Sequence, residues 1–512
     1  MKLFFCFSHR ENLKRLEQFF KHYRELGVTN FYGVYHSYEE SSRDVISYVM
    51  KNSMVVNIWD TPFDDVKKIN YINRAKLKFS NPNEWVFTVD CDEFIDLSKK
   101  NLNKIINSNS NYVRFLLIDR LSNPPLKEVT DEDLNITFPI YDYFTHRELG
   151  GCGYKIPLSR REVILGLGYH DVTQEDQVIL LKKHPLNGFV NHYKWIKEIK
   201  NEASIRVNTI VTQNNEEYKD ELVKLVNNDF SNVRNYKAPL KSKLLFIVWS
   251  MQDLNVLKQF FKHYSELGVT EFYCIFHTYG MKDNTIYNYV EENAFIVHHW
   301  DEPYTTEWEA KLKNKYKREI VDDENEWVWV VDADEFVVMS IDYIRELQDV
   351  PKEINYVNGW MVDRFSPDGL IVPKNENIFT QFPIRTFYTR FKLTGSASKV
   401  TLTRGYVILG TGHHVVTNSL YDYGLEDERE LIPYNPKEEN YLEVAHVKWH
   451  YQILEEIYQK FTKTMNICQY SAREQGIFVL DYLYKKKPIE EMIKEFIIEG
   501  NEGYTLRIHE SI

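Results

Sequence analysis

The feature that most constrains the fold of this chain is an internal duplication. The stretch QFFKHYRELGVTNFY at residues 18–32 returns as QFFKHYSELGVTEFY at residues 259–273, with 13 of 15 positions identical. The offset of 241 holds without a gap from residues 2–60 to residues 243–301, and it becomes 242 and then 244 further along. A repeat of this length is far too long for a solenoid unit, so each copy is expected to fold as a whole domain.

The length of the chain agrees with two large domains. Its 512 residues exceed what a single core ordinarily organises and leave more than 200 for each copy. The polar segment at residues 227–243 separates the copies and is typical of a domain boundary. We therefore predict a first domain at residues 1–235 and a second at residues 242–512, the second with a C-terminal helical extension.

Each copy alternates short apolar runs with segments of helical periodicity. In the first copy, LFFCFS has the length of a strand, and apolar residues at helical spacing follow from Leu13 to Leu26. Gly27 then stands where a helix C-terminal glycine is expected. Further strand-length and helix-length segments follow in the same order up to WVFTVD. This order predicts an α/β fold in each copy, Rossmann-like, with a mostly parallel central sheet.

Composition excludes several classes of function. With 43% hydrophobic residues and a net charge of −12, the chain can bury two cores but lacks the clustered basic residues that nucleic-acid binding requires. Its five cysteines show no CxxC spacing, and no run of about 18 apolar residues occurs. We expect a cytoplasmic protein without a transmembrane segment, peripheral to the membrane if its acceptor is lipid-linked.

A buried strand in each copy ends in acidic residues. WVFTVD ends in Asp90 and is followed by Asp92 and Glu93, and WVWVVD ends in Asp332 and is followed by Asp334. Ligands of open α/β sheets bind at the carboxyl ends of strands, and alternate residues of an extended segment share one face. The two aspartates of each motif then repel unless a cation joins them. Mn²⁺ or Mg²⁺ suits this role, because both prefer oxygen ligands and also bind phosphates.

The ordered set of motifs resembles glycosyltransferases of the GT-A fold, close to families 2 and 92. The resemblance lies in ENLKRLEQFFKHYRELGVTNFY, FTVDCDEF, IDR and NHYKW of the first copy and in their counterparts in the second. It implies transfer of sugars from nucleotide-diphosphate donors to a glycan acceptor. The aspartates Asp90, Asp92, Asp332 and Asp334 would hold the divalent ion on the diphosphate of the donor. Two intact copies imply a bifunctional enzyme, and the family resemblance implies inversion.

Direct inversion also needs a carboxylate that takes the proton of the acceptor hydroxyl. Asp119 and Asp363 each end an apolar run and are each followed by Arg, and we predict that they are these bases. Glu93 and Glu335 are the alternative bases. A structural Asp–Arg pair is the simpler reading of Asp119 and Asp363.

Similar families supply a third metal ligand from a histidine late in the domain. His192 in NHYKW and His446 in AHVKW are the predicted ligands, and the other pair that survives duplication is His170 and His414. Four lysines are predicted to neutralise the diphosphate, namely Lys155, Lys399, Lys194 and Lys448.

Two other functions fit the same residues. A metal-dependent phosphatase or nucleotide-sugar hydrolase could use the acidic motif, although the motif lies on the fourth strand rather than the first. One or both copies could also be a noncatalytic glycan-binding module.

Overall fold

The computed structural model divides the chain into two compact units, unit 1 from Met1 to Pro239 and unit 2 from Leu240 to Ile512. The described residues are 1–38, 43–61, 63–122, 127–130, 132–142, 152–173, 181–194, 196, 242–278, 284–339, 346–347, 350–393, 396, 398–420, 425–434, 442–454, 476–479, 481 and 489–494. The predicted boundary and most of the predicted C-terminal extension lie outside them. Within these ranges, no helix is both long and apolar enough to cross a membrane.

Unit 1 contains nine strands, five α-helices and a short 3₁₀ turn among its described residues. The strands are β1 (Lys2–Ser8), β2 (Asn30–His36), β3 (Met54–Trp59), β4 (Trp85–Asp90), β5 (Glu93–Asp96), β6 (Tyr112–Leu121), β7 (Ile140–Asp142), β8 (Tyr154–Arg160) and β9 (Phe189–His192). The helices are α1 (Leu13–Glu25), α2 (Arg43–Asn52), α3 (Asp65–Phe79), α4 (Lys99–Ile106), α5 (Leu134–Thr137) and the 3₁₀ turn Leu167–Tyr169.

Unit 2 repeats this order with additional short strands. Its strands are β10 (Ser242–Trp249), β11 (Val269–His277), β12 (Phe295–Trp300), β13 (Trp327–Asp332), β14 (Glu335–Val338), β15 (Ile354–Phe365), β16 (Ile384–Thr386), β17 (Ser398–Arg404), β18 (Ile408–Leu409), β19 (Val416–Thr417), β20 (Ser419–Leu420), β21 (Leu425–Glu426), β22 (Ile432–Pro433) and β23 (Leu442–His446). Its helices are α6 (Leu254–Glu266), α7 (Thr285–Asn293), α8 (Thr306–Ile320), α9 (Ile378–Gln381), α10 (Tyr388–Lys392), α11 (Ile489–Ile493) and the 3₁₀ turn Thr411–His413.

The two central sheets have the same topology. In unit 1 the order is β3-β2-β1-β4-β8-β6-β9-β5, and in unit 2 it is β12-β11-β10-β13-β17-β15-β23-β14. The first four strands of each path run parallel, as crossover helices require. Beyond them the sheet is mixed, because β8 runs antiparallel to both β4 and β6. This architecture confirms the predicted α/β fold of two tandem, Rossmann-like domains.

Helix α1 forms where the sequence predicts it. The side chain of Asn12 accepts a hydrogen bond from the backbone N–H of Arg15 and so caps the first turn. The apolar stripe of the helix is largely buried, and its fully buried residues Phe19 and Phe20 both pack against the ring of Phe5 in β1. The stripe therefore fixes the helix on one face of the parallel sheet.

The turn after α1 requires glycine in both units. Gly27 has φ 92° and Gly268 has φ 95°, values that a residue with a Cβ adopts only with strain. A Cβ added to Gly27 would meet no atom within 4 Å, so the strain is conformational rather than steric. We expect Gly27→Ala to lower the free energy of unfolding by about 1–2 kcal/mol. Gly27→Asn should cost less, because Asn tolerates positive φ. Thermal unfolding of the two variants tests this, and equal stability of Gly27→Ala and the unchanged chain would contradict it.

A tyrosine of the first helix anchors the strand that follows the acidic motif. The hydroxyl of Tyr23 donates to the carbonyl of Glu93 at 2.9 Å and accepts from the N–H of Ile95 at 3.3 Å. Tyr264 makes the same two bonds in unit 2, at 2.9 and 3.2 Å. The buried helix thus fixes the position of the acidic motif relative to the sheet.

Candidate functional site

The register of the sheet brings the acidic motif beside two distant segments. Asp90 ends β4, and the chain turns directly into β5, where Glu93 pairs with His192 of the antiparallel strand β9. On the other side of β9, His192 pairs with Asp119 of the parallel strand β6. In unit 2, His446 likewise pairs with Glu335 and Asp363. Residues that are 73 to 111 positions apart in sequence therefore lie on neighbouring strands.

In each unit the histidine lies between two carboxylates. In unit 1, His192 Nδ1 is 2.9 Å from Asp119 Oδ1, and His192 Nε2 is 3.5 Å from Asp92 Oδ2. In unit 2, His446 Nδ1 is 3.1 Å from Asp363 Oδ1, and its Nε2 is 3.5 Å from Asp334 Oδ2. The structure thus brings together the second aspartate and the histidine that the sequence predicts as metal ligands.

The charges of the histidine and its two carboxylates stabilise one another. Burial opposes a charge on His192, but Asp92 and the hydrogen bond with Asp119 outweigh burial and raise the pKa of His192 to about 9. Burial also opposes the charge of Asp92, yet the nearby His192 holds the pKa of this carboxyl well below its usual range. The pKa of His446 is likewise raised to about 9. Without a metal, the imidazolium therefore neutralises the second aspartate of the motif.

The predicted bases contact the Nδ1 atoms of the histidines, on the side of each ring away from the acidic motif. Asp119 is 1% exposed and Asp363 is 0% exposed, so neither carboxylate is open to solvent. Asp363 accepts hydrogen bonds from the backbone N–H and the hydroxyl of Thr389, both at 2.6 Å, and from Trp449 Nε1 at 3.0 Å, besides its bond with His446. These contacts favour a role in orienting the histidine. The base assignment of Asp119 and Asp363 stays a prediction.

The first aspartate of the motif is paired with lysines. In unit 1, Lys68 Nζ of α3 lies 2.7 Å and 2.8 Å from the two carboxylate oxygens of Asp90. Lys155 Nζ of β8 lies 3.7 Å from Asp90 and 2.7 Å from Glu93, whose other oxygen accepts the N–H of Asp90 at 3.0 Å. Two ammonium groups therefore face two carboxylates. The predicted phosphate ligand Lys155 is close to the motif, while Glu93, the alternative base, is buried and fully paired.

Unit 2 builds the same pairing with different residues. Lys313 Nζ of α8 lies 2.7 Å from Asp332 Oδ1, and Lys399 lies 3.2 Å from Asp332 and 2.8 Å from Glu335. Lys313 also lies 2.5 Å from the buried carboxylate of Glu309. Unit 2 thus carries one carboxylate more than unit 1 around its two lysines.

A strained turn completes the site in each unit. Tyr169 has φ 61° and His413 has φ 43°, which are uncommon for residues with bulky side chains. The ring of Tyr169 lies under Lys68, with the ammonium 4.7 Å from the ring centroid. In unit 2, His413 Nδ1 lies 2.7 Å from Lys313 Nζ instead. The strain places one ring of each unit against the helix lysine.

The other histidine pair bonds to backbone carbonyls. His170 Nδ1 is 2.5 Å from the carbonyl of Tyr154, and His414 Nδ1 is 2.7 Å from the carbonyl of Ser398. Both hydrogen bonds engage backbone, and neither histidine belongs to the clusters that could hold a metal among the described residues.

The lysines of NHYKW and AHVKW influence the second aspartate of each acidic motif through their charge. Lys194 and Lys448 are partly exposed, and their charges help to lower the pKa values of Asp92 and Asp334. They therefore contribute to the electrostatics of the site.

The donor atoms of unit 1 fit a divalent cation. Asp92, Glu93 and His192 each offer one atom, and these atoms lie within 4.8 Å of one another. The 3.5 Å between Asp92 and His192 is shorter than two metal–ligand bonds of about 2.1 Å placed end to end, so both atoms can reach one ion. The carboxylate on the far side of His192 is the partner that metal-bound histidines generally have. The carboxylate oxygens suit Mn²⁺ and Mg²⁺, and the imidazole favours Mn²⁺ of the two, because Mg²⁺ is the harder ion and prefers oxygen ligands.

A second cluster, in unit 2, already contains a cation. Glu309, Asp332 and His413 gather within 4.8 Å, but the ammonium of Lys313 lies 2.5–2.7 Å from an atom of each. The ammonium fills the position between these three side chains. In unit 2 the pair that resembles the unit 1 site is therefore Asp334 with His446.

Sequence reasoning missed the helix lysines and the rings of the strained turns. Lys68 and Lys313 do not align between the copies, so comparing the copies could not reveal them. A usable signal was present, because each lysine falls on the buried stripe of an amphipathic helix. A lysine on such a stripe needs a charged or polar partner.

Comparisons with known proteins give distant structural likenesses. No family model matches the chain, and no curated protein matches it. HddC from Yersinia pseudotuberculosis is 10% identical, with 44% of this chain and 99% of that chain covered and a TM-score of 0.23. TarS 1-349 from S. aureus is 13% identical, covering 46% and 72%, with a TM-score of 0.19. The glycosyltransferase GlyE from Streptococcus pneumoniae TIGR4 is 8% identical, covering 62% and 83%, with a TM-score of 0.16. Scores this low carry no argument about the activity of the chain.

Proposed function

We propose that each unit binds a divalent ion, Mn²⁺ or Mg²⁺, and transfers a sugar from a nucleotide-diphosphate donor to a glycan acceptor. The observation that carries this proposal is the row of side chains Asp92, His192 and Asp119. Unit 2 repeats this row, and its histidine–carboxylate distances agree with those of unit 1 within 0.2 Å. A structural histidine needs only one hydrogen-bond partner. A histidine that is oriented by one buried carboxylate and aimed at a second, partly exposed one has the arrangement of a metal ligand.

The location of the site supports a phosphate-containing ligand. Asp92 is 22% exposed and lies beyond the carboxyl end of the parallel strands, where ligands of α/β sheets bind. Lys155 and Lys194 add positive charge beside the acidic motif. A bound divalent ion would supply Lewis-acid stabilisation to the leaving diphosphate. The motif resemblance to glycosyltransferases of the GT-A fold supports a nucleotide-sugar as the source of that diphosphate.

The protein residues have separable tasks in this proposal. Asp92 and His192 hold the ion, and Asp119 fixes the tautomer and orientation of His192. Glu93 positions Lys155 and, through the N–H of Asp90, the turn between β4 and β5. Inversion remains the expected stereochemical outcome, with the acceptor proton taken by a carboxylate.

The experiment that tests this function has two steps. Isothermal titration with Mn²⁺ should detect one site in each unit, and the double variant Asp92→Ala/Asp334→Ala should lose both. Thermal unfolding is then measured with UDP-, GDP- and dTDP-sugars in the presence of Mn²⁺. A donor that binds the folded protein raises the melting temperature, and EDTA should remove the increase.

Two outcomes decide against sugar transfer. If the unchanged chain binds no Mn²⁺, the proposed function is wrong. If it binds Mn²⁺ and releases phosphate or free sugar from the donor at the same rate with and without any glycan acceptor, the hydrolase interpretation is correct instead.

A further inference from the structure

The helix lysine that pairs with the first aspartate occupies different positions in the two copies. With the offset of 241 that relates α3 to α8, Lys68 aligns with Glu309 and Ile72 aligns with Lys313. The lysine of unit 2 therefore lies four residues later in its helix than the lysine of unit 1, which is about one helical turn. In unit 2 a carboxylate, Glu309, stands at the position of Lys68.

The ion pair is retained in spite of this exchange. Lys68 Nζ lies 2.7 Å from Asp90, and Lys313 Nζ lies 2.7 Å from Asp332. Both ammonium groups are buried, with side-chain exposures of 8% and 1%. In unit 2 the new carboxylate, Glu309, bonds Lys313 at 2.5 Å and lies against the hydroxyl of Tyr304. Lys313, Glu309 and Asp332 therefore each have a partner of opposite charge in unit 2.

The residue of the strained turn changes together with the lysine. Tyr169 offers an aromatic face to Lys68 at 4.7 Å, and His413 offers a ring nitrogen to Lys313 at 2.7 Å. Lys399 also approaches His413, at 3.2 Å. The turn residue therefore contacts the helix lysine in both units, although the turn residue and the helical position of the lysine both differ between the copies.

We propose that Lys68 and Lys313 are equivalent positioning residues, which hold the first aspartates Asp90 and Asp332 so that the divalent ion is left to the second aspartate and the histidine. The part that concerns the ion rests on the proposed function. If the helix position only had to pack, an apolar side chain such as Ile72 would serve in both units. A buried ammonium is costly and is not expected unless its ion pair with the aspartate is needed. An interaction that persists while its residues exchange places indicates that the charge pair itself is required.

This assignment has a consequence for binding that a merely structural lysine would not have. Removing the ammonium frees a carboxylate next to the metal ligands. The free carboxylate attracts Mn²⁺ more strongly, but it repels the diphosphate that must bind the ion. Metal affinity and diphosphate affinity should therefore change in opposite directions.

The equivalence of the lysines is tested first without metal. In the full chain with EDTA, Lys68→Glu should lower the melting temperature of unit 1 by on the order of 10 °C, since it places a second carboxylate beside Asp90. The triple variant Lys68→Glu/Ile72→Lys/Tyr169→His copies the unit 2 arrangement and should recover more than half of that loss. The matched control is Lys67→Glu, which makes the same charge change at an exposed position of α3 and should have little effect. A triple variant no more stable than Lys68→Glu would overturn the equivalence.

The effect on binding is tested in a chain whose unit 2 site is disabled by Asp334→Ala. Titration with Mn²⁺ alone, and then with inorganic pyrophosphate on the Mn²⁺-loaded protein, is compared for the unchanged unit 1 and for Lys68→Met. We expect Mn²⁺ binding to tighten roughly tenfold and pyrophosphate binding to weaken roughly tenfold. Weakening of both, or a change in neither, would overturn the proposal. If unit 1 binds no Mn²⁺ before substitution, the proposed function is wrong, while the melting temperatures still decide whether the lysines are equivalent.

Discussion

Asp92→Ala should abolish one of the two proposed sugar-transfer activities and leave the other measurable, and Asp334→Ala should have the reverse effect. Each substitution removes the carboxylate that faces the histidine at 3.5 Å, and His192 or His446 then has no second ligand opposite it. Loss of a charged metal ligand should lower Mn²⁺ affinity of that unit at least 100-fold and the transfer rate at least 1,000-fold, as rough estimates. Product analysis of each variant beside the unchanged chain measures the effect.

Matched controls separate this loss from a general effect of removing surface charge. Asp44→Ala in α2 and Glu292→Ala in α7 remove exposed carboxylates from the two units and should leave both activities intact. Full activity of the double variant Asp92→Ala/Asp334→Ala would contradict the account, because no intact metal pair would remain.

Asp363→Asn should weaken Mn²⁺ binding to unit 2 by about 10- to 100-fold while leaving most of the maximal rate, measured at saturating Mn²⁺. Asn keeps the shape of the side chain but removes the charge that orients and supports His446, which lies 3.1 Å away. The experiment measures the transfer rate of unit 2 as a function of Mn²⁺ concentration for the variant and for the unchanged chain. Asp119→Asn should behave in the same way in unit 1.

This experiment also decides between the two roles considered for the buried aspartates. If Asp363 is the base that takes the acceptor proton, no concentration of Mn²⁺ can restore the rate. Failure of the rate to recover, with unchanged Mn²⁺ affinity, would therefore support the base and contradict the orienting role.

Much of the fold could be predicted from sequence, because strands and helices differ in the spacing of their apolar residues. The duplication gave two domains, and alternating apolar runs and amphipathic segments gave parallel strands joined by helices, as in β1, α1 and β2. The mixed part of the sheet could not be predicted in the same way. An apolar run indicates that a strand is buried, but not in which direction β8 runs beside β4.

The candidate site was predictable where both copies keep the same residue at the aligned position. Asp92 and His192 were singled out for this reason, and the structure brings them together. Lys68 was not identified, because its counterpart Lys313 lies one turn further along the aligned helix. Tyr169, whose ring faces Lys68, was not identified, because positive φ values at Gly168 and Tyr169 turn the chain in a way that residue spacing does not reveal.

The most direct test of the central claim is anomalous diffraction at the manganese edge from crystals grown with Mn²⁺. The account predicts one peak in each unit, bound by Asp92 and His192 in unit 1 and by Asp334 and His446 in unit 2, with Lys68 and Lys313 still on the first aspartates. Peaks bound by the first aspartates with the lysines displaced, or no peak at either histidine, would contradict it.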